Sequence, residues 1–228
     1  MRFSAILFDL DGTLLNTIPD LAGAANAMRH DLGMAPVAQD ILATYVGKGA
    51  EQLVIRALQH DGATADDALV ARGLACYTQH YRRLSGTQSH PYPGVLEGLN
   101  LFRAAGCQMA VVTNKSTEFT GPLLRHHGLV DFFDVVVCGD TCTQKKPDPM
   151  PVLYACKQLD VPPDQALFIG DSINDALAAQ AAGIPMLALP YGYNEGRPVQ
   201  SLPADAIVGS LIEAAQWAGC ATRPTEPA

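Results

Sequence analysis

The chain has 228 residues, 48% of them hydrophobic and 17% charged, with a formal net charge of −8. Such an apolar share excludes a disordered polymer. The negative balance speaks against nucleic acid or an anionic membrane surface as the main partner, though not against a small anion held in one cleft.

The first residues, Met1-Arg2-Phe3-Ser4, run straight into the apolar stretch Ala5-Ile6-Leu7-Phe8. They show no signal-peptide pattern, and no apolar run reaches the length of a membrane span, so a cytoplasmic protein is expected. The stretch reads as a buried strand whose tip carries Asp9-Leu10-Asp11-Gly12-Thr13. Open α/β sheets place their ligand site at strand ends of this kind. Two acids so close repel unless a cation or a shared proton lies between them, and Mg²⁺ suits an all-oxygen set. One carboxylate is then free to be a nucleophile and the other an acid and base. Taken alone, Asp-x-Asp reads equally well as a strand ending in an acidic turn.

Residues 19–84 have a helical texture, with helices expected over 20–31, 51–60 and 65–84, punctuated by Pro36, Gly47, Gly49 and Gly62. From Pro93 the chain alternates. Helices are expected over 94–105, 117–127, 151–159 and 175–182, and strands over 109–112, 135–137, 167–169 and 185–189. This rhythm predicts a parallel sheet covered on both faces, which the first strand joins across the helical stretch. The fold expected is therefore an α/β core (1–15 and 87–228) with an inserted α-helical cap (16–86). Residues 222–228, with two prolines, are expected to be a loose tail. The six cysteines form no Cys-x-x-Cys pair and are read as buried thiols of a reducing cytosol.

Three further polar groups fall at expected strand ends. Thr113-Asn114 offers a hydroxyl and an amide to phosphate oxygens, although Ser, Thr and Asn after a strand more often cap the next helix. Lys145-Lys146-Pro147 is an ordinary solvated loop unless Pro147 aims Lys146 inward, where its charge would offset a phosphate and a carboxylate; Lys145 is expected to face water. Gly170-Asp171-Ser172-Ile173-Asn174-Asp175 again ends a strand in acids. Asp171 is either a helix cap or a metal ligand, and Asp175 is placed to orient Lys146 or bound water. Capping does not explain why all four strand ends carry parts of one phosphate-and-cation site.

Together the four segments resemble the four motifs of the haloacid dehalogenase-like (HAD) hydrolases, in that family's order and over almost the whole chain, and the insertion after the first motif is similar to its α-helical cap. The resemblance implies a HAD-like Rossmannoid core with Asp9 as nucleophile, forming an aspartyl-phosphate, and Asp11 as acid and base. Thr113 and Lys146, with Asn114, would hold the phosphoryl group. Mg²⁺ would be held by Asp9, by Asp11 through its main-chain carbonyl, and by Asp171. The dehalogenase branch lacks an acid at the position of Asp11, so phosphate chemistry is implied.

Within the family the chain is similar to the bacterial phosphoglycolate phosphatases at Asn16-Thr17-Ile18-Pro19-Asp20-Leu21, Val46-Gly47-Lys48-Gly49-Ala50, Thr113-Asn114-Lys115, Gly139-Asp140 and Tyr191-Gly192-Tyr193-Asn194. It departs from them at Asn16, where Asp is common, and at Lys48, where Asn or Arg is often seen. Lys48 is read in three ways: a surface lysine, a contact for the carboxylate of glycolate, or a Schiff-base lysine as in the family's phosphonoacetaldehyde hydrolases. The partner implied is a small phosphorylated metabolite, 2-phosphoglycolate first, and the protein is expected to be a monomer or homodimer. A phosphatase for a sugar phosphate, a sugar phosphomutase and a non-catalytic binding protein on this scaffold are the alternatives. The last has no need of Asp9, Asp11, Lys146 and Asp171 together.

Overall fold

The apolar stretch behind the first acidic tip is strand β1 (Ala5–Phe8), buried throughout. The computed structural model describes residues 3–220. After β1 the chain passes through β2 (Leu15–Asn16) into helices α1 (Ile18–Asp31), α2 (Gln39–Ala43), α3 (Ala50–Gln59) and α4 (Asp67–Leu84). It returns through β3 (His90–Pro91), which pairs antiparallel with β2. There follow α5 (Val95–Ala104), β4 (Gln108–Val112), α6 (Thr117–His126), β5 (Val135–Val137), α7 (Met150–Gln158), β6 (Ala166–Gly170), α8 (Ile173–Ala181), β7 (Met186–Ala188), β8 (Ala206–Ile207) and α9 (Leu211–Trp217).

Six strands form one sheet in the order β5-β4-β1-β6-β7-β8, parallel at every pairing. Side chains alternate across it, as the two-residue period of a strand requires. Ile6 and Phe8 join Met109, Val111, Leu167 and Ile169 beneath α5, α6 and α9. Ala5 and Leu7 join Ala110, Val112 and Phe168 beneath α7 and α8. Burial on both faces is why these strands read as unbroken apolar runs rather than as alternating patterns. The strand order reverses at β1, so the carboxyl ends of β1, β4 and β6 border the crevice where doubly wound sheets bind ligands.

Helices α1 to α4 enclose a core of their own, including Met28, Leu53, Val54, Leu58, Tyr77 and Tyr81. Buried Asp20 ties the start of α1 to the returning segment. Its carboxylate accepts from the main-chain N–H groups of Gly86, Gln88 and Ser89 at 2.8–3.1 Å and from the hydroxyls of Thr87 and Ser89. Arg29, fully buried, donates to the carbonyls of Ala35 and Ala57 and to Asp61.

The expected elements lie within a few residues of the observed ones. Not anticipated were α2, the short pair β2–β3, β8 and α9, which carry too few residues for a period to show. Four cysteines are buried, but Cys76 and Cys142 are half-buried, contrary to the reading of all six as interior thiols. The tail expected over 222–228 lies outside the described residues. Among the described residues no helix is long and apolar enough to cross a membrane.

Candidate active site

Where β1 ends, Asp9 donates its main-chain N–H to the Ile169 carbonyl at 3.0 Å, which extends the ladder to β6 by one residue and fixes the carboxylate at the sheet's edge. The chain then reverses at Gly12, whose φ of +90° favours glycine. A side chain there would also collide with the Asp171 carboxylate, and so would one at Gly192. These two glycines leave room for Asp171 between the first turn and a loop after β7. Thr13 Oγ1 donates to Asp171 Oδ1 at 2.6 Å, and the Tyr193 N–H donates to Oδ2 at 2.7 Å. The Tyr193 hydroxyl in turn accepts from the N–H groups of Thr17 and Ile18 and donates to Asn16 Oδ1. One loop therefore holds both the acid at the β6 tip and the point where the chain leaves for α1.

Asp171 is not the cap of α8. Ser172 is, in a capping box with Asp175. Asp175 has no exposed surface and uses both oxygens. Oδ2 accepts from the N–H groups of Asp171 and Ser172 and from the Ser172 hydroxyl, at 2.7–3.2 Å. Oδ1 accepts from Lys146 Nζ at 2.6 Å. Lys146 also donates to the Val112 carbonyl at 2.6 Å and lies 2.8 Å from Asp9 Oδ1. Its three N–H groups are thus directed at three oxygens. Burial opposes its charge, but Asp175 and Asp9 outweigh that and raise its pKa above the usual lysine range.

At the β4 tip Thr113 is buried and lines the cavity. The capping expected of this segment falls elsewhere: Asp140 accepts from the N–H and hydroxyl of Thr117 at the start of α6. Asn114 was expected to bind phosphate, but its side chain is committed. Nδ2 donates to the carbonyls of Gly47 and Lys146, both at 2.8 Å, and Oδ1 accepts from the Lys146 N–H at 2.9 Å. An amide has two N–H groups, so no donor is left for a ligand. Asn114 instead holds the Lys146 main chain against the Gly47 loop.

Lys115, read in the sequence only as part of the Thr113-Asn114-Lys115 likeness, is brought into the site. Its Nζ lies 2.9 and 2.8 Å from the two oxygens of Asp11, with its side chain 5% exposed, and sits 5.1 Å above the Tyr81 ring. Thr17 Oγ1 donates to Asp11 Oδ1 at 2.7 Å. The available signal was position: a cation two residues beyond a strand tip that points at the acids. Lys48 goes the other way. Its Nζ lies 2.9 Å from Glu195 Oε1, and of Gly47-Lys48-Gly49 only the glycines line the cavity. Lys48 was expected to meet the substrate; here its ammonium is held by Glu195. Lys145 is exposed, as expected, but stands on the cavity wall.

The cavity has a volume of about 320 Å³. Asp9, Asp11, Thr113 and Lys115 form its floor, and Leu21, Val46, Leu53, Leu74, Tyr77 and Phe119 its apolar walls. Oxygens of Asp9, Asp171 and Asp175 lie within 4.8 Å of one another. Burial, with the charges of Asp175 and Asp11, pushes the Asp9 carboxyl up to about 7 despite Lys146. Burial and the charges of Asp175 and Asp9 raise Asp171 as well. When all four are ionised, Asp9, Asp11, Asp171 and Asp175 carry two more charges than Lys115 and Lys146 offset, and a cation between them would hold them in that form. An all-oxygen donor set short by the charge of one divalent cation fits a hard ion such as Mg²⁺.

The family model for haloacid dehalogenase-like hydrolases matches residues 6–189. The chain is 50% identical to a phosphoglycolate phosphatase of Nitrosospira multiformis and 49% identical to one of Thiobacillus denitrificans, covering in each case 94% of this chain and 95% of the relative. It superposes on the crystal structure of a predicted phosphoglycolate phosphatase from Haemophilus somnus with a TM-score of 0.90 at 32% identity, covering 95% of this chain and 98% of that one.

Proposed function

The chain belongs to the haloacid dehalogenase-like hydrolase family, and on that premise we propose that it hydrolyses 2-phosphoglycolate to glycolate and inorganic phosphate through an aspartyl-phosphate on Asp9. The observation that carries this reading is the contact of Lys146 with Asp175 and with Asp9, the acid on the floor of a small cavity. It stands in a chain half identical, over nearly its whole length, to phosphoglycolate phosphatases. We take residues 16–86 as the cap and 1–15 with 87–228 as the core.

The ester enters with its phosphoryl group toward Asp9, Thr113 and Lys146. Lys146 draws the phosphoryl oxygens and holds Asp9 in line, so most of the catalysis is positioning and charge. An Asp9 oxygen attacks phosphorus and the bond to the leaving oxygen breaks. Asp11 gives that oxygen its proton, and glycolate departs. Asp11 then takes a proton from a water whose oxygen attacks the phosphorus, and the bond to Asp9 breaks to release phosphate. The apolar cap walls exclude other water during the first transfer. Mg²⁺ would be held by the carboxylates of Asp9 and Asp171 and the main-chain carbonyl of Asp11. When bound, it supplies positive charge that offsets the charge on the phosphoryl oxygens.

Phosphate release across a panel of small phosphomonoesters tests the substrate. Asp9→Asn tests the nucleophile: an amide oxygen is a poor nucleophile, so turnover should vanish while the circular dichroism spectrum is kept. Near-wild-type release from the folded variant would overturn the covalent route.

A further inference from the structure

Two buried lysines serve the acids at the strand tips, Lys115 on the cavity floor and Lys146 against Asp9. Lys146 is committed to the phosphoryl end by Asp9, Asp175 and the Val112 carbonyl. Lys115 grips Asp11, the group that serves the leaving oxygen in the function proposed above. A cation on that carboxylate lies beside the leaving group. In a phosphorylated 2-hydroxy acid the substrate's own carboxylate is one carbon away from the leaving oxygen.

Beyond Lys115 the cavity offers a carboxylate hydroxyls, on Tyr77, Thr78, Tyr81 and Ser116, but little positive charge. Leu21, Val46, Leu53, Leu74 and Phe119 are apolar, Glu51 and Glu118 repel it, and Lys48 is held on Glu195. Lys145 stands on the wall but is exposed, where water weakens its pull. The Lys115 ammonium, by contrast, is shielded by Tyr81 and keeps its charge in the cavity. Asp11 can release it without losing its place, because Thr17 still donates to Asp11 Oδ1.

We propose that Lys115 is the specificity-determining residue of this site: it exchanges Asp11 for the carboxylate of the substrate and so selects phosphate esters of small 2-hydroxy acids over uncharged esters. This rests on the phosphatase reading above. The exchange replaces one carboxylate partner by another, so the buried ammonium is never left alone, which would be costly. An uncharged ester brings no such partner, so when Asp11 turns to the leaving oxygen Lys115 gains nothing in its place.

The test compares kcat/KM for 2-phosphoglycolate and for 2-hydroxyethyl phosphate, which replaces the carboxylate by an alcohol. Both are measured on the wild type, Lys115→Met and Lys145→Ala, with Mg²⁺ present. Any effect of Lys115→Met on Asp11 falls on both esters and cancels in their ratio. The wild type should prefer phosphoglycolate, and Lys115→Met should cut that preference about 10- to 150-fold, the span expected for one hydrogen bond to a charged group. The loss should appear in KM, and inhibition by glycolate should weaken in parallel. Lys145→Ala should keep the preference. If Lys115→Met does not fold, Lys115→Gln should show the same direction. An equal loss on both esters, or loss of the preference in Lys145→Ala instead, would overturn the assignment while the phosphatase reading stands. Release from neither ester by the wild type would overturn both.

Discussion

Replacing Asp175 by asparagine changes one oxygen to an amide nitrogen and almost nothing in shape. The structure leaves that nitrogen no acceptable place. If it faces Lys146, two donors meet where Oδ1 now accepts from Nζ at 2.6 Å. If it turns the other way, it meets the N–H groups of Asp171 and Ser172, which now donate to Oδ2. There is no room to swing aside, since Gly170 is packed against this carboxyl and Asp175 has no exposed surface. Orphaning one member of a buried ion pair costs about 3–5 kcal/mol. Lys146 keeps Asp9 and the Val112 carbonyl, so the loss belongs at the lower end, about 3 kcal/mol. For a chain of this size each kcal/mol moves Tm by about 2–4 °C, which gives a fall of about 6–12 °C. Thermal unfolding of Asp175→Asn followed by circular dichroism, in chelator so that no cation contributes, measures it. Ser172→Ala, which removes the cap hydroxyl and its two hydrogen bonds to Asp175 but leaves Asp175 paired with Lys146, should cost about 1–2 kcal/mol. A Tm for Asp175→Asn no lower than that of Ser172→Ala would refute the reasoning.

Two further outcomes are expected. Phosphate release should stop in excess chelator and return with added Mg²⁺, and Asp171→Ala should raise the Mg²⁺ concentration needed or abolish release; full activity in chelator would count against the cation. Lys48→Ala should leave KM for phosphoglycolate nearly unchanged and cost about 0.2–1 kcal/mol of stability, because the ion pair it loses to Glu195 is partly exposed. A KM rise confined to carboxylated substrates would return Lys48 to the site.

The sheet and its acidic edge were legible because both are local in the chain. A strand buried on two faces is a short apolar run, and the residue after its last apolar position stands at the sheet's edge. Ala5–Phe8 is the expected run itself, and Gln108–Val112 and Ala166–Gly170 contain the expected ones. Asp9, Thr113 and Asp171 could therefore be placed at strand tips without knowledge of the strand order. Helix α9 escaped because its seven residues bury only Leu211, Ala214 and Ala215, too few to show a period.

Side-chain direction was legible only in part: Pro147 pointed to Lys146 inward and Lys145 outward, but nothing in the sequence aimed Lys48 or Lys115. Lys48, Lys115, Lys145 and Lys146 each stand in a polar loop beside a motif, and the sequence distinguishes them only by neighbours. A lysine carries its charge on a flexible stem, so its partner is set by whichever carboxylate the fold brings within reach. For Lys115 and Lys146 those are Asp11, Asp9 and Asp175, 29 to 137 positions away along the chain. For Lys48 it is Glu195, on a loop beyond the last expected strand. Asn114 likewise could not be known to spend its amide on Gly47 and Lys146 until helical insertion and core met. The sequence by itself determined which residues stand at the sheet's edge, because the apolar run of a doubly buried strand is a local property of the chain. Only the tertiary structure decided which charges pair there, because that depends on distances between residues far apart in the chain.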